Sequence, residues 1–521
     1  MNDVSEQRSA GRLNRLPAQL HPLAIALAAG ALIAGLLAAF SPGSFWNGFL
    51  AAGPLSFAAI YLLIRAWRWA GAGRVLGWMV ALAFLLRLLS GAGISLALPV
   101  WGYPEPEQQA GYLFKDASAR DTQAWELAGS DAPLWESFRS EFASDQYGGL
   151  LALSALVYRY LSPDAHRPFL IFILGSFFAA LGVPFLVAAA RLRFTARIAT
   201  LAGWIYALYP EAIFYSSGQL REPFLVGMAA AAFWAVLAWD WHKPRVWLAL
   251  ALSLIGMALI SSRVAAAAGG FLGLLFLLEH ILSRPERRWK LLGGAALAAG
   301  LVLVLLFSWE WFHSASGYDA VLTMRGSGQV TTQIRQVGEQ YILPFLVVYG
   351  IAQPVLPAAI ADPSIPLWHT LAVFRAAGWY ALAPFLIYGL FTFWKEERPR
   401  RRLVIWLLLA VFAWMVIAAI RGGGDANDNP RYRSLFIPWM ALLASWSINW
   451  ALAHRDPWLW RWIAVEGIFL AFFTHWYLSR YYVLWTKLPF WTMTGLILAL
   501  SALVMLGGWV WDRRRSQKSL V

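Results

Sequence analysis

KDASARDTQAWELAG, residues 115–129, is the stretch on which the reading turns. It lies in a polar interval, residues 102–165, inside a chain that is otherwise a succession of apolar runs. Asp116 and Asp121 are followed by Ala124, Leu127, Ala128 and Gly129, a pattern that suits a short amphipathic helix docked on a membrane surface. Its polar end then carries the two carboxylates at headgroup level. A carboxylate held there can deprotonate a hydroxyl or ligate a divalent cation. The same spacing also describes a solvated acidic loop, since Glu105, Glu107, Asp131 and Asp145 share the interval.

The surrounding composition fixes the setting. Of 521 residues, 60% are hydrophobic and 13% charged, with mean hydropathy +0.56. A soluble chain of this length divides into domains and covers itself with charge. Here apolar runs recur near 22–41, 50–66, 76–100, 166–190, 194–214, 220–240, 245–260, 263–283, 289–309, 367–393, 403–420, 434–453, 461–481 and 489–511. About 20 apolar residues cross a hydrocarbon core of about 30 Å. The predicted fold class is an all-α integral membrane protein, a polytopic bundle of about 14 transmembrane helices with juxtamembrane helices in the first outer loop. The 31 Trp and 18 Tyr suit rings anchored at the two interfaces as well as helix packing. With no Cys, disulfides and thiolate metal sites are excluded.

The net charge of +14 comes from short basic clusters between spans, which is a topological signal; no nucleic-acid partner is predicted. Arg8, Arg12 and Arg15, Arg65/Arg68/Arg74, Arg191/Arg193/Arg197, Lys395 to Arg402, Arg455/Arg461 and Arg513 to Lys518 all fall on one side when spans alternate. That side is predicted to be cytoplasmic, with both termini there, in a multi-pass protein of the cell membrane. The count requires that 147–161, YGGLLALSALVYRYL, does not span; with about 15 residues it reads as a juxtamembrane helix. The stretch 341–361, interrupted by Pro344, Pro354 and Pro357, reads as an interfacial helix rather than a clean span.

Two further constellations fall on the predicted outer side. In YPEAIFYSSGQLREPF, 209–224, a helix ends near Pro210 and Arg221 and Glu222 open the next one. Ionisable groups at that depth are costly unless they pair or work. In RGGGDANDNPRYR, 421–433, consecutive glycines precede Arg431, Tyr432 and Arg433 at a helix start. Guanidinium forks bind phosphate oxygens bidentately, so a lipid phosphate fits there, as does simple headgroup anchoring. Arg87 sits inside a span and needs a partner. Glu279, Arg375 and Glu466 are the other ions within spans. Arg263, His313, Arg325, Arg335 and Glu339 are weaker candidates. No HExxH, Walker A or GxGxxG pattern occurs, so zinc proteolysis and nucleotide hydrolysis have no support, and no metal-ligand set is predicted.

Taken in order, these segments resemble the polytopic GT-C glycosyltransferases, in the branch that holds protein O-mannosyltransferases, aminoarabinose transferase and lipopolysaccharide sugar transferases. The likeness runs from Arg87 in FLLRLL through Asp116-Ala117, Asp121, Ala124, Leu127 and Gly129, then the short helix 147–161 and the basic turn RLRFTAR. It continues through Pro210, Tyr215, Ser216 and Glu222 to Pro430-Arg431-Tyr432. It is densest over 76–240. The chain departs from the pattern at Arg120, where a Tyr is usual, and in two extra N-terminal helices.

The resemblance implies a GT-C-like catalytic membrane core at 76–309, after an N-terminal portion 1–75, with a second outer loop at 310–366 and C-terminal helices at 367–521. It implies transfer of a sugar from a polyprenyl-phosphate donor to a lipid, glycan or protein acceptor at the extracytoplasmic face, with inversion. Asp116 is then the general base and Asp121 orients the acceptor or shares a cation. Arg87, Arg221, Glu222, Arg431, Tyr432 and Arg433 bind substrate, with Arg431, Arg433 and Arg221 facing the departing phosphate. The resemblance leaves room for a divalent cation without requiring one. The competing readings are a flippase or transporter for lipid-linked oligosaccharides, and an enzyme like an O-antigen ligase or polymerase. A transporter would carry charges deep in several helices, and here such ions are few; a ligase or polymerase uses a long outer loop rich in Arg and His, which 310–366 allows but the acidic first loop fits less well.

Overall fold

The computed structural model describes residues 17–139, 148–283, 286–289, 291–295, 299–300, 341–422 and 424–518. Arg8, Arg12, Arg15, Asp145, His313, Arg325, Arg335 and Glu339 lie outside these, as does most of the expected span 289–309. Among the described residues every extended regular element is helical. The helices that matter below are α1 (Pro17–Ala39), α2 (Phe45–Trp69), α3 (Arg74–Trp101), α4 (Lys115–Gly129), α5 (Gly149–Leu161) and α6 (Phe169–Arg191). Then follow α7 (Ala196–Leu208), α8 (Pro210–Ser216), α9 (Glu222–Leu237), α10 (Pro244–Ile260), α11 (Ser262–Phe276), α12 (Ile342–Ala352) and α13 (Leu356–Ile360). The last are α14 (Pro366–Leu390), α15 (Arg398–Gly422), α16 (Asp428–Ser434), α17 (Ile437–His454), α18 (Trp458–Tyr481) and α19 (Phe490–Lys518).

Among the described residues eight helices are long and apolar enough to cross a membrane: α1, α2, α3, α6, α11 with its continuation to Ile281, α14, α15 and α19. The pair α16 and α17 passes jointly, bent by 75°. The protein is therefore a helical multi-pass membrane chain. The other expected spans correspond to shorter or more polar elements. The run 194–214 is divided into α7 and α8 at Pro210, which has no N–H to continue the ladder. The run 220–240 gives α9, and 245–260 gives α10. The juxtamembrane expectation for 147–161 corresponds to α5, whose 13 residues are too few for a span. The proline-rich 341–361 forms α12 and α13 rather than one long helix.

The chain forms two compact units. The first comprises Met1–Ala188, Ile213–Trp234 and Trp241–Ala266. In it α1 and α2 pack along each other as a hairpin, and α4 lies on α5. Trp69, Phe185 and Trp234 form one aromatic contact, with centroids 4.8–5.5 Å apart. Gly227 lets α9 lie directly on the Phe178 carbonyl of α6, where any Cβ would collide. The second unit comprises Ala189–Ala212, Ala235–Asp240 and Ala267–Val521. Its centre is α17, buried almost all round and packed on α7, α14 and α15. By contrast α19 leaves Leu498, Leu503, Leu506 and Trp511 exposed, as a lipid-facing helix does.

Candidate active site

In the first unit the site is built on α4. Its buried residues are Ala117, Arg120, Asp121, Ala124 and Leu127, a stripe at helical spacing. Burying Leu127 contributes about 1.5–3 kcal/mol to docking the helix. The two acids are five positions apart, which at 3.6 residues per turn sets them about 140° apart around the helix. Asp121 therefore faces the core and is 1% exposed, while Asp116 stands off the stripe with its side chain 40% exposed.

Asp121 is enclosed by donors from three segments. The Tyr112 hydroxyl donates to Oδ2 at 2.7 Å and the Tyr158 hydroxyl to Oδ1 at 2.6 Å. His166 Nε2 lies 2.7 Å from Oδ2. The imidazole stacks on Trp125 and meets Tyr158 edge-on, so its plane is fixed. Burial, and then the neighbouring Asp121 charge, push both phenols above their ordinary range, so both stay protonated donors. Asp121 acts as the knot that ties the segment around Tyr112 and α4 to α5 and to the 162–168 connection.

The ends of α4 are set by charge and by glycine. Arg159 of α5 donates to the carbonyls of Leu127 (2.5 Å), Ala128 (3.2 Å), Ser130 (3.0 Å) and Ala132 (2.8 Å), capping the C-terminus with a cation. Gly148 precedes α5 at φ +74°, where a side chain would also meet the Ser137 carbonyl. Beyond α5, Arg167 is fully buried and forks onto Asp164 at 2.6 and 2.8 Å. Asn47 donates to the same carboxylate at 3.0 Å. The Arg167 hydrogen bonds, then that of Asn47, hold the Asp164 carboxyl well below the usual range.

The remaining candidates of the first unit converge on α4. Arg120 Nη1 donates to the Gln219 carbonyl at 3.0 Å, tying the acid helix to the turn that precedes Arg221 and Glu222. Its Nη2 lies 3.7 Å from Asp116. Phe114 stacks on Tyr215 and meets Phe214 edge-on. Gly91, one turn after Arg87, lies close against Phe172 and Ser217. Thus the helix of Arg87, the acid helix and the 215–222 turn form one packed group. Glu222, 4% exposed, occupies the first turn of α9, where an anion is favoured. Arg87 is buried and donates to the Ala83 carbonyl of its own helix.

Arg431, Tyr432 and Arg433 belong to the second unit, on α16. Arg433 is 2% exposed and lies 3.1 Å from Glu211 Oε2, itself fully buried. Tyr209 donates to the same carboxylate at 2.6 Å, Arg433 Nη1 donates to the Ile351 carbonyl, and the guanidinium sits 3.6 Å from the Trp379 ring centroid. The charge of Arg433 is therefore balanced within the protein. Asp425 Oδ1 accepts from the backbone N–H of Asn427 and of Asp428, so the start of α16 is capped internally rather than open to an anion. Arg375, expected as an intramembrane ion, pins this loop through Asn427 Oδ1 and the Ala426 carbonyl. Arg431 is buried on the same short helix.

Spacing along the chain does not reveal Tyr112, Tyr158 and His166 as partners of Asp121, or Glu211 as a partner of Arg433. Tyr158 lies in the YRYL end of 147–161 and Glu211 directly after Pro210, whereas nothing local in the sequence marks His166. Among the described residues no group of three or more His, Asp or Glu is arranged to hold a metal ion.

No protein-family model matches the chain, and no curated protein matches it. Among solved structures it is similar to the archaeal oligosaccharyltransferase AglB from Archaeoglobus fulgidus, determined in complex with an inhibitory peptide and a dolichol-phosphate. The identity is 14% and the TM-score 0.31, and the similarity covers 83% of this chain and 56% of that one. The chain thus spans about half of that protein's length. A likeness this distant carries no argument about activity.

Proposed function

We propose that the protein is a membrane glycosyltransferase that moves a sugar from a polyprenyl-phosphate donor to a hydroxyl acceptor at the extracytoplasmic face. The single observation that carries this reading is the division of labour on α4. Asp121 is locked by three partners while Asp116, on the same rigid helix, keeps its carboxylate accessible.

In this reading Asp116 takes the proton from the acceptor hydroxyl. The acceptor oxygen bonds to the anomeric carbon from the face opposite the phosphate, the carbon–oxygen bond to phosphate breaks, and polyprenyl phosphate leaves with the electron pair. Charge grows on that phosphate in the transition state, so a fixed guanidinium beside it lowers the barrier. Arg221, at the turn that Arg120 ties to α4, takes this role; within the second unit Arg433 is held by its buried pairing with Glu211, which keeps α16 in place. Asp121 positions α4, and Glu222 and Arg87 line the donor side. A transporter reading is less favoured, because Arg375 is committed to the 421–433 loop instead of lining a path.

The test is incubation of the purified protein in liposomes with a panel of polyprenyl-phosphate sugars. Release of free polyprenyl phosphate is expected from the wild type and not from Asp116→Asn, whose thermal stability should equal that of the wild type. Turnover by Asp116→Asn at the wild-type rate removes the base assignment. Translocation of intact donor without bond cleavage removes the enzyme reading altogether.

A further inference from the structure

A second polar site lies at the ends of four helices of the second unit. It is a cleft of about 560 Å³ lined by Lys395, Trp450, His454, Asp456, Trp458 and Asp512, with Arg515 at its rim. Lys395 follows α14, His454 ends α17, Trp458 opens α18, and Asp512 and Arg515 sit on the last turns of α19. Beneath it Tyr388, Ala451 and Leu459 form a small core packed by Phe385, Trp462 and Ile463. The cleft is therefore a firm feature at the level where apolar spans give way to charge.

Its two carboxylates are already satisfied. Asp512 receives a bidentate fork from Arg461 at 2.6 and 2.8 Å. Asp456 accepts from the Tyr388 hydroxyl at 2.9 Å, from the Trp458 backbone N–H at 3.0 Å and from Lys395 Nζ at 3.5 Å. Three cations, Lys395, Arg461 and Arg515, thus face two carboxylates, and one positive charge is left over at the mouth. The floor is aromatic. His454 stacks on Trp450 at 4.1 Å, Lys395 Nζ lies 5.2 Å from the Trp450 centroid, and Arg461 lies 4.6 Å from that of Trp458. Tryptophans at such a depth belong to the headgroup layer.

We propose that this cleft binds the headgroup of an anionic phospholipid. A single phosphodiester charge matches the single excess cation, and the glycerol backbone would rest on the Trp rings while the acyl chains enter the bilayer beside α19. A zwitterionic headgroup brings a positive charge that Lys395 and Arg515 disfavour. Basic clusters that merely fix topology predict something else: every exposed arginine at that membrane level would contribute alike. The cleft predicts that Lys395 and Arg515 matter and that the adjacent exposed Arg514 does not.

The experiment uses the full chain, purified in neutral detergent, with bound lipid read by native mass spectrometry and thermal stability read in parallel. Phosphatidylglycerol, phosphatidylcholine and inorganic phosphate are each added. Phosphatidylglycerol is expected to be retained and to raise the melting temperature, and the other two to do neither. Lys395→Gln/Arg515→Gln should weaken phosphatidylglycerol retention about tenfold or more, given the usual strength of a basic side chain at an anionic surface. Arg514→Gln should leave retention unchanged. Arg515→Gln alone, at an exposed side chain, should give a partial loss and keeps the test readable if the double variant does not accumulate. Equal retention of phosphatidylcholine, equal losses from Arg514→Gln and Arg515→Gln, or reproduction of the effect by inorganic phosphate would each overturn the proposal. None of these outcomes depends on sugar transfer.

Discussion

Asp121 and Asp116 differ by a rotation about one helix axis, and that rotation decides what each can do. A buried carboxylate with three donors is costly to disturb, since each donor loses its acceptor. Asp121→Asn keeps the shape but turns an amide N–H toward the Tyr112, Tyr158 and His166 donors. It should destabilise the protein by about 1–3 kcal/mol, seen as a lowered melting temperature, whereas Asp116→Asn should not move it. Equal melting temperatures for the two variants would contradict the division of roles. The stripe Ala117, Ala124, Leu127 was legible in the sequence, and rotating it by helical spacing would have placed Asp121 inside. Its partners were not legible, because they stand 9, 37 and 45 residues away and only the fold joins them. A second residue-scale effect concerns Asp164. Its folded-state pKa is depressed, chiefly by Arg167, so the unfolded chain binds the proton more readily. The contribution to stability is therefore full above the ordinary carboxylate pKa of about 3.9 and declines as pH falls below it. The melting-temperature gap between wild type and Asp164→Asn should be constant from pH 8 to about 5 and shrink in acid. A gap that widened in acid would reverse the assigned sign.

At the scale of elements, the informative features are helix ends. Pro210 ends α7, Arg159 closes the C-terminus of α4, and Asp425 closes the start of α16. The proline was readable as a break because its effect is local. The Arg159 cap was not, because a guanidinium from one helix satisfies the carbonyls of another. The 421–433 loop shows the same limit. Its arginines looked alike in sequence, but Arg433 is bound to a carboxylate 222 positions earlier. Arg433→Met takes the cation away from buried Glu211, whose other partner among the described residues is Tyr209, and should cost about 3–5 kcal/mol. Adding Glu211→Gln should recover much of that loss, because the carboxyl that Arg433 partnered is no longer there. A double-mutant cycle on thermal stability in detergent measures this directly. Strictly additive losses would mean that the pair does not hold α16, and the positioning role assigned to Arg433 would have to be dropped.

At the scale of the whole chain the apolar runs mark where helices form, eight of them long enough to span among the described residues, but they do not mark the two units. Span boundaries are set by local events: a charge cluster, a proline, a change from apolar to polar residues. The units interleave along the chain, with cuts near 188, 212, 234, 240 and 266, and no composition shift marks those points. Sidedness is a property of the whole set of loops, since the Lys and Arg bias acts collectively. The absence of native Cys makes it measurable without a background to remove. Gln109→Cys, on the exposed polar segment before α4, and Arg514→Cys, on the exposed end of α19, should lie on opposite sides. In sealed cells a membrane-impermeant maleimide should label residue 109 and should reach residue 514 only after permeabilisation. Labelling of both from outside would undo the alternation of spans. Protection of 109 with labelling of 514 would invert the bundle, placing Asp116 at the cytoplasmic surface, and a donor presented from the extracytoplasmic leaflet could then never meet its base.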